Sequence, residues 1–461
     1  MSDLLKVINP ATQTLIRELE MDTPESVATK YARARSGQRS WARVPVSDRK
    51  KILSRFRDAL VTRKDELANL LTTEVGKPIS QSRGELTGVL GRIDFFIENI
   101  EATLLPQTVV SRPEQGLEER ITLEPLGVIA NISAWNYPYL VGANVIIPAL
   151  LTGNAVLYKP SEFATLSGLA ITELLHQAGV PKDVFIPVIG AGEVGAEILK
   201  QPIQGVFFTG SYATGKRIAE AAAPKMIKVQ LELGGKDPVY VCDDVDVKAV
   251  ADATADGAFY NTGQSCCSVE RIYVHEKVHA EFVKAFQATV KSFVIGDPLS
   301  DRTYIGPLTR EAQIAVLEAQ LQDAKAKGAE VLLGGRRVTG LSGNYFEPTV
   351  LTHVNHSMDV MKEESFGPII GIQKVSSDEE ALERMNDTKF GLTAGIYTTS
   401  AERAHLILSE VHAGTAYWNC CDRVSPALPW SGRGHSGMGS TLSTAGIVAF
   451  TQPKAWHLKK A

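Results

Sequence analysis

The sequence predicts an α/β fold built from two Rossmann-like parallel-sheet domains and a small β hairpin, and three observations carry that expectation. Short β-rich runs alternate with helical stretches from residue 126 to 233, the alternation resumes from about 235 to 434, and a turn-bounded pair of strands separates the first alternation from the helices before it. Strand–helix alternation marks βαβ units, whose crossovers produce a parallel sheet.

The elements follow in order. Up to about residue 100 the chain reads as mostly helical: Ser47 is placed to cap a helix carrying Leu53, Phe56 and Leu60 at i, i+3 and i+7, and Gly76-Lys77-Pro78 ends the helical run after it. Thr108-Val109-Val110, the turn Pro113-Glu114-Gln115-Gly116 and Arg120-Ile121-Thr122-Leu123 read as a hairpin. Strands are expected over 127–132, 155–158, 184–189, 205–209 and 227–232. The tail, 447–457, reads as a strand whose Pro453 suits an edge or an intersubunit position. No internal repeat or low-complexity tract is visible.

A length of 461 residues allows about three units at roughly 150 residues each. The formal charge of −4 supplies no basic field for nucleic acid, so the expected partner is a small molecule. With 44% hydrophobic and 22% charged residues, the composition is that of a globular protein. Four of the five cysteines form the adjacent pairs Cys266-Cys267 and Cys420-Cys421, which is not a secreted disulfide framework. Reduced thiols, and a start without a secretory pattern, give a cytoplasmic expectation. Residues 125–158 carry no charge, yet Asn131, Asn136, Asn144, Asn154, Pro138 and Pro148 fit a buried strand–loop–helix–strand better than a membrane span.

Two motif matches carry little weight. Gly190-Ala-Gly192-Glu-Val-Gly195 fits G-x-G-x-x-G, but the acidic residue expected about 20 positions on falls near Gly210, inside another glycine-rich turn. His275-Glu-Lys-Val-His279 fits H-E-x-x-H, but Arg271-Ile272-Tyr273-Val274 reads as a strand running into His275. Both histidines would then not share one helical turn, and no metal is expected.

The segment from Phe259 to Arg271 contains Asn261, Gly263, Gln264, Cys266 and Cys267. A cysteine after such a loop suits a helix N-terminus, where N–H groups stabilise a thiolate; the competing reading is a pair of core-filling cysteines. Its company favours the first. Leu231-Glu232-Leu233-Gly234-Gly235-Lys236-Asp237-Pro238, Leu126-Gly127-Val128 with Trp135-Asn136-Tyr137-Pro138, Lys159-Pro160-Ser161-Glu162, Phe208-Thr209-Gly210-Ser211 with Gly215, and Glu363-Glu364-Ser365-Phe366-Gly367-Pro368 occur in the same chain. Together these segments resemble the aldehyde dehydrogenase superfamily of the NAD(P)-dependent, hydrolytic type, from about residue 8 to 457.

The resemblance implies an NAD-binding domain over 1–106 and 125–233, a catalytic domain over 234–434, and oligomerisation strands over 107–124 and 446–461 of a homodimer or homotetramer. It makes Cys266 the nucleophile, Asn136 with the Cys266 N–H the oxyanion hole, and Glu232 the base that activates water for thioester hydrolysis. A carboxylate between two leucines should have a raised pKa. The resemblance assigns cofactor contacts to Ser133, Ala134, Trp135, Lys159, Ser161, Glu162, Gly192, Thr209, Gly210, Ser211, Thr214, Leu233, Gly234, Glu364 and Phe366. Glu162 would repel a 2′-phosphate, which favours NAD over NADP while leaving NADP open.

The resemblance also places substrate contacts on Tyr137, Val141, Asn144, Cys421 and Arg423. Arg423 either binds a carboxylate, favouring a succinate-semialdehyde-like substrate, or forms a surface ion pair with the adjacent Asp422. The chain departs from the family's Phe-Gly-Gly segment, having Pro429-Trp430-Ser431-Gly432 instead. A cofactor-independent thiol esterase and a non-catalytic nucleotide-binding relative are the alternatives; both Cys266 and Glu232 argue against the second.

Overall fold

The computed structural model describes residues 3–460. Its first sheet has six strands in the spatial order Gly437–Met438, Lys228–Glu232, Gly205–Thr209, Val128–Ile132, Ala155–Lys159, Phe185–Pro187. All pairs are parallel except at the Gly437–Met438 edge. The chain moves outward from Val128–Ile132 to Phe185–Pro187, then returns across its own start to Gly205–Thr209. That reversal opens a crevice at the carboxyl ends of the two central strands, where doubly wound sheets bind ligands. Val128–Ile132 and Ala155–Lys159 are buried at every position because helices cover both faces, so they read as continuous apolar runs.

The second sheet has seven strands, ordered Glu330–Leu333, Thr349–Thr352, Ile369–Val375, Val269–His275, Asp237–Val241, Thr393–Tyr397, Thr415–Trp418, and only Glu330–Leu333 runs antiparallel. A third sheet joins Gln107–Arg112 and Leu117–Pro125 to the tail strand Thr451–Lys459, and Pro453 lies on its open edge.

The helix Ile79–Leu104 matters most to the cavity described below. It buries Leu86, Val89, Ile93, Phe96 and Ile100, and on the same side it buries two charged residues seven apart, Glu85 and Arg92.

Several sequence expectations shift. The chain does not begin with helix: Leu4–Ile8 and Leu15–Glu20 form an antiparallel hairpin before Pro24–Trp41, whose N-cap Thr23 accepts from the Ser26 N–H at 3.2 Å. The helix Val46–Thr62 starts after Pro45, so Ser47 lies inside the first turn and is not the cap. Gly76, left-handed at φ +81°, does end the helix Lys64–Val75. The expected strand over 184–189 shortens to Phe185–Pro187. In the tail, Ile447 belongs to a short helix, Ser443–Val448, and the strand begins only at Thr451. Ile447 and Phe450 are fully buried with the first sheet's core, which Trp430 and Leu442 also join.

Candidate active site

Sheet register aligns the carboxyl ends of the first sheet: Ile132 faces Lys159 on one side and Phe208 on the other, and Thr209 faces Glu232. The expected cofactor residues follow directly from these ends. Ser133, its N–H bonded to the Lys159 carbonyl at 3.0 Å, leads into Ala134 and Trp135. Lys159 is buried, with Nζ 3.2 Å from the Pro160 carbonyl and 3.8 Å from Glu162 Oε2, and burial lowers its pKa from the usual lysine value. Ser161 lies between them, its hydroxyl 3.3 Å from Glu162 Oε2.

Two helix N-termini stand beside this row. Gly192 opens Gly192–Lys200, and no side chain caps that end. After Thr209 and Gly210, Ser211 caps Tyr212–Ala222, its hydroxyl accepting from the Thr214 N–H at 3.4 Å. Such ends offer N–H groups and a partial positive charge to a phosphate. The G-x-G-x-x-G match therefore sits at a true strand–turn–helix junction.

The second unit closes over this crevice through residues 364–366. Phe366 packs edge-on against Trp135 with ring centroids 5.5 Å apart. Glu364 accepts from the Gly235 N–H at 3.2 Å, next to Leu233 and Gly234. A Cβ on Gly234 would lie 2.0 Å from Glu364 Oε1, and one on Gly235 would lie 2.6 Å from the Cys266 carbonyl, so the paired glycines permit two close approaches. The sequence reading missed what fixes residues 364–366. Glu270 accepts from the Ser365 N–H at 2.8 Å and the Phe366 N–H at 2.9 Å, and is ion-paired to buried Lys236 at 2.7 Å. A glutamate–arginine pair within the otherwise apolar strand Val269–His275 was the available signal.

Glu232 is buried, not a surface strand carboxylate. Its Oε1 accepts from Thr441 Oγ1 at 3.1 Å and Gln230 Nε2 at 3.3 Å, while Oε2 has no partner among the described residues. Burial pushes its pKa up to about 8 against the lowering effect of those two bonds. Thr441 is held in turn by Trp430: each N–H bonds the other's carbonyl, at 2.8 and 2.9 Å. The Pro429-Trp430-Ser431-Gly432 departure thus leads, through one bridge, to the carboxylate.

Cys266 differs from expectation in its surroundings. It lies in the loop between Tyr260–Gly263 and the strand Val269–His275, not at a helix N-terminus. The loop turns through left-handed Asn261 and Thr262. It is pinned by its Gln264 carbonyl, which accepts from Asn136 Nδ2 and Asn261 Nδ2, both at 3.1 Å. Asn136 reaches the loop from the row of strand ends and keeps a second N–H. The partly exposed Cys266 and the buried Cys267 part company: Cys267 Sγ donates to Asp422 Oδ1 at 2.9 Å. Contact with the Cys266 sulfur, burial and Asp422 together hold the Cys267 thiol well above its ordinary pKa.

A cavity of about 490 Å³ leads to Cys266 and is lined by Tyr137, Val141, Asn144, Cys421 and Arg423, and also by Arg92, Tyr260 and Trp430. Tyr137 lies under Lys77, whose Nζ is 3.7 Å from the ring centroid. Arg423 is exposed, and no ion pair joins it to Asp422 among the described residues. His275 caps the helix Glu276–Lys291, and the described residues contain no metal-holding cluster of His, Cys, Asp or Glu.

Comparison with known proteins shows the family. The family model described as "Aldehyde dehydrogenase family" matches residues 2–456. Aminoaldehyde dehydrogenase 1, peroxisomal, of Pisum sativum is 35% identical over 456 residues, covering 97% of this chain and 91% of that protein. The structure of an Escherichia coli NADP-dependent enzyme superposes with a TM-score of 0.96 at 30% identity, covering 99% of this chain and 95% of that one. PnpE of Pseudomonas sp. WBC-3 in complex with nicotinamide adenine dinucleotide gives a TM-score of 0.96 at 32% identity, covering 99% and 94%.

Proposed function

The chain belongs to the aldehyde dehydrogenase family, whose members couple aldehyde oxidation to NAD(P), and on that footing we propose that it converts an aldehyde to its carboxylic acid through a thioester on Cys266, hydrolysed with Glu232 as base. The observation that carries this reading is the presence of three features: the partly exposed Cys266 lining the cavity, the Asn136 amide bonded to its loop, and a buried carboxylate with one free oxygen.

The residues divide the work as follows. The Cys266 thiolate attacks the aldehyde carbon, and the alkoxide formed takes hydrogen bonds from the Asn136 amide and the Cys266 N–H. NAD(P), when bound, would supply the acceptor for the hydride this adduct loses, which leaves a thioester on Cys266. Glu232 then removes a proton from water as it attacks the thioester carbonyl, and Cys266 leaves as thiolate. The uncapped start of Gly192–Lys200 and the Ser211-capped helix would hold the pyrophosphate, Lys159 and Glu162 the adenine-side ribose, and Glu364 the nicotinamide ribose. The Glu162 carboxylate beside Lys159 favours NAD over NADP. The sheet of Gln107–Arg112, Leu117–Pro125 and Thr451–Lys459 is the proposed homo-oligomer contact.

The test is pre-steady-state kinetics. Cys266→Ser should abolish cofactor reduction, and Glu232→Gln should keep a stoichiometric burst of reduced cofactor followed by turnover slowed at least about a hundredfold. Equal steady rates in Glu232→Gln and the parent enzyme would refute the role of the glutamate. Ester hydrolysis without cofactor, in the absence of cofactor-linked aldehyde oxidation, would favour the esterase reading.

A further inference from the structure

Arg92 is a cation in the wall of the cavity that Cys266 also lines, and it has no carboxylate partner there. The residue is only 4% exposed. Its Nη1 is committed, donating to the Leu140 carbonyl at 2.8 Å and to Asn144 Oδ1 at 2.7 Å. These two bonds fix the plane of the guanidinium. They leave the opposite edge, Nε and Nη2, without a protein acceptor among the described residues. Neither atom is sealed from solvent, unlike Nε of the buried Arg49. The Nε–Nη2 edge presents two parallel N–H donors, the geometry that matches both oxygens of a carboxylate.

The carboxylates around this cavity are otherwise engaged. Glu85 pairs with Lys77 and accepts from the Tyr139 and Leu140 N–H groups at 2.9 and 3.1 Å. Asp256 accepts from the Tyr304 hydroxyl, and Asp422 from the Cys267 thiol. The second cation of the lining, Arg423, is exposed at the loop over 420–424. A largely buried guanidinium whose unused fork faces a cavity gains most from an anion placed there, because the anion offsets its charge as well as its hydrogen bonds.

We propose that Arg92 is the anion-recognition residue of this cavity and that the substrate is an aldehyde whose far end is a carboxylate. This rests on the aldehyde-oxidising reading above and names the class of substrate it acts on. The carboxylate takes the Nε–Nη2 fork while the aldehyde carbon reaches Cys266, so chain length between the two groups sets preference. Arg92 then discriminates among aldehydes by charge and leaves the chemistry to Cys266 and Glu232.

The experiment compares succinic semialdehyde, pentanal and 4-aminobutanal as substrates of the full-length wild type, Arg92→Gln and Arg92→Lys. The wild type should prefer succinic semialdehyde in kcat/KM. Arg92→Gln should lower the ratio of kcat/KM for succinic semialdehyde over pentanal at least thirtyfold, mainly through KM. Arg92→Lys, which keeps charge but not the fork, should recover only part of that ratio. Using a ratio within each variant separates lost recognition from lost folding. In parallel, calorimetry with succinate should show binding to the wild type that Arg92→Gln loses. A wild-type preference for pentanal or 4-aminobutanal, or an unchanged ratio in Arg92→Gln, overturns the proposal while leaving aldehyde oxidation standing. Absence of turnover on every aldehyde, with Arg92-dependent succinate binding intact, removes the catalytic reading and retains the anion site.

Discussion

On the proposed mechanism, the Thr441 hydrogen bond to Glu232 helps set the working pH. A carboxyl raised to about 8 is mostly protonated at neutrality, and a protonated base cannot take a proton from water. Thioester hydrolysis, read as the steady rate after the burst, should therefore climb as pH rises through about 8 and level off above it. The same shift acts on stability with opposite sign. The raised pKa favours the fold while Glu232 is protonated, and that contribution is lost as pH rises from the ordinary glutamate range through about 8. Because the Thr441 bond favours the charged form, Thr441→Val should move the kinetic midpoint upward. It should also slow hydrolysis near neutrality by about tenfold, the worth of one charged hydrogen bond. Thr441→Ser should restore the midpoint. A loss of rate with the midpoint unmoved would make Thr441 a packing residue only.

Between elements, close approach does the positioning. The junction after the strand Lys228–Glu232 must admit Glu364 from one side and the Cys266 loop from the other, and two successive glycines leave that space. Gly234→Ala should displace the Glu364 carboxyl and raise the KM for NAD(P) by about tenfold, the scale of a misplaced binding group. A normal cofactor KM would show that Glu364 does not hold the ribose. These junctions were readable in the sequence because their residues are consecutive: Leu-Gly-Gly after a buried strand, and Asn-x-Gly-Gln before Cys266. The N-terminal hairpin was not, because Leu4–Ile8 and Leu15–Glu20 lie largely exposed and show no clean apolar alternation. Ser47 was misread because Pro45 ends the preceding segment two residues earlier, and a helix can start there without a side-chain cap. Arg92, Glu270 and Thr441 escaped notice for a different reason. Their partners lie far away in sequence, at Asn144, 365–366 and Glu232, so local spacing carries no signal for Arg92 or Thr441 and only the buried charge pair Glu270-Arg271 for Glu270.

The three-stranded sheet stands apart from both cores. Its tail strand is exposed along most of its length, and Leu105, Val109 and Leu458 present apolar surface to solvent. A sheet this small with open edges is marginal alone and gains from a second copy. Truncation after Phe450 should accordingly shift the sedimentation coefficient from an oligomer to a monomer; an unchanged oligomer would place the contact elsewhere.

The first sheet is completed by the end of the chain. Gly437–Met438 supplies its edge, Phe450 stacks on Phe207 with centroids 4.2 Å apart, and Trp430 and Leu442 fill the same core. A ribosome that has emitted residues 1–429 has therefore released a first sheet whose interior is still open to water. The core of that sheet closes only once residues 430–450 have emerged, and until then the nascent chain exposes apolar surface, the condition in which holding chaperones matter most.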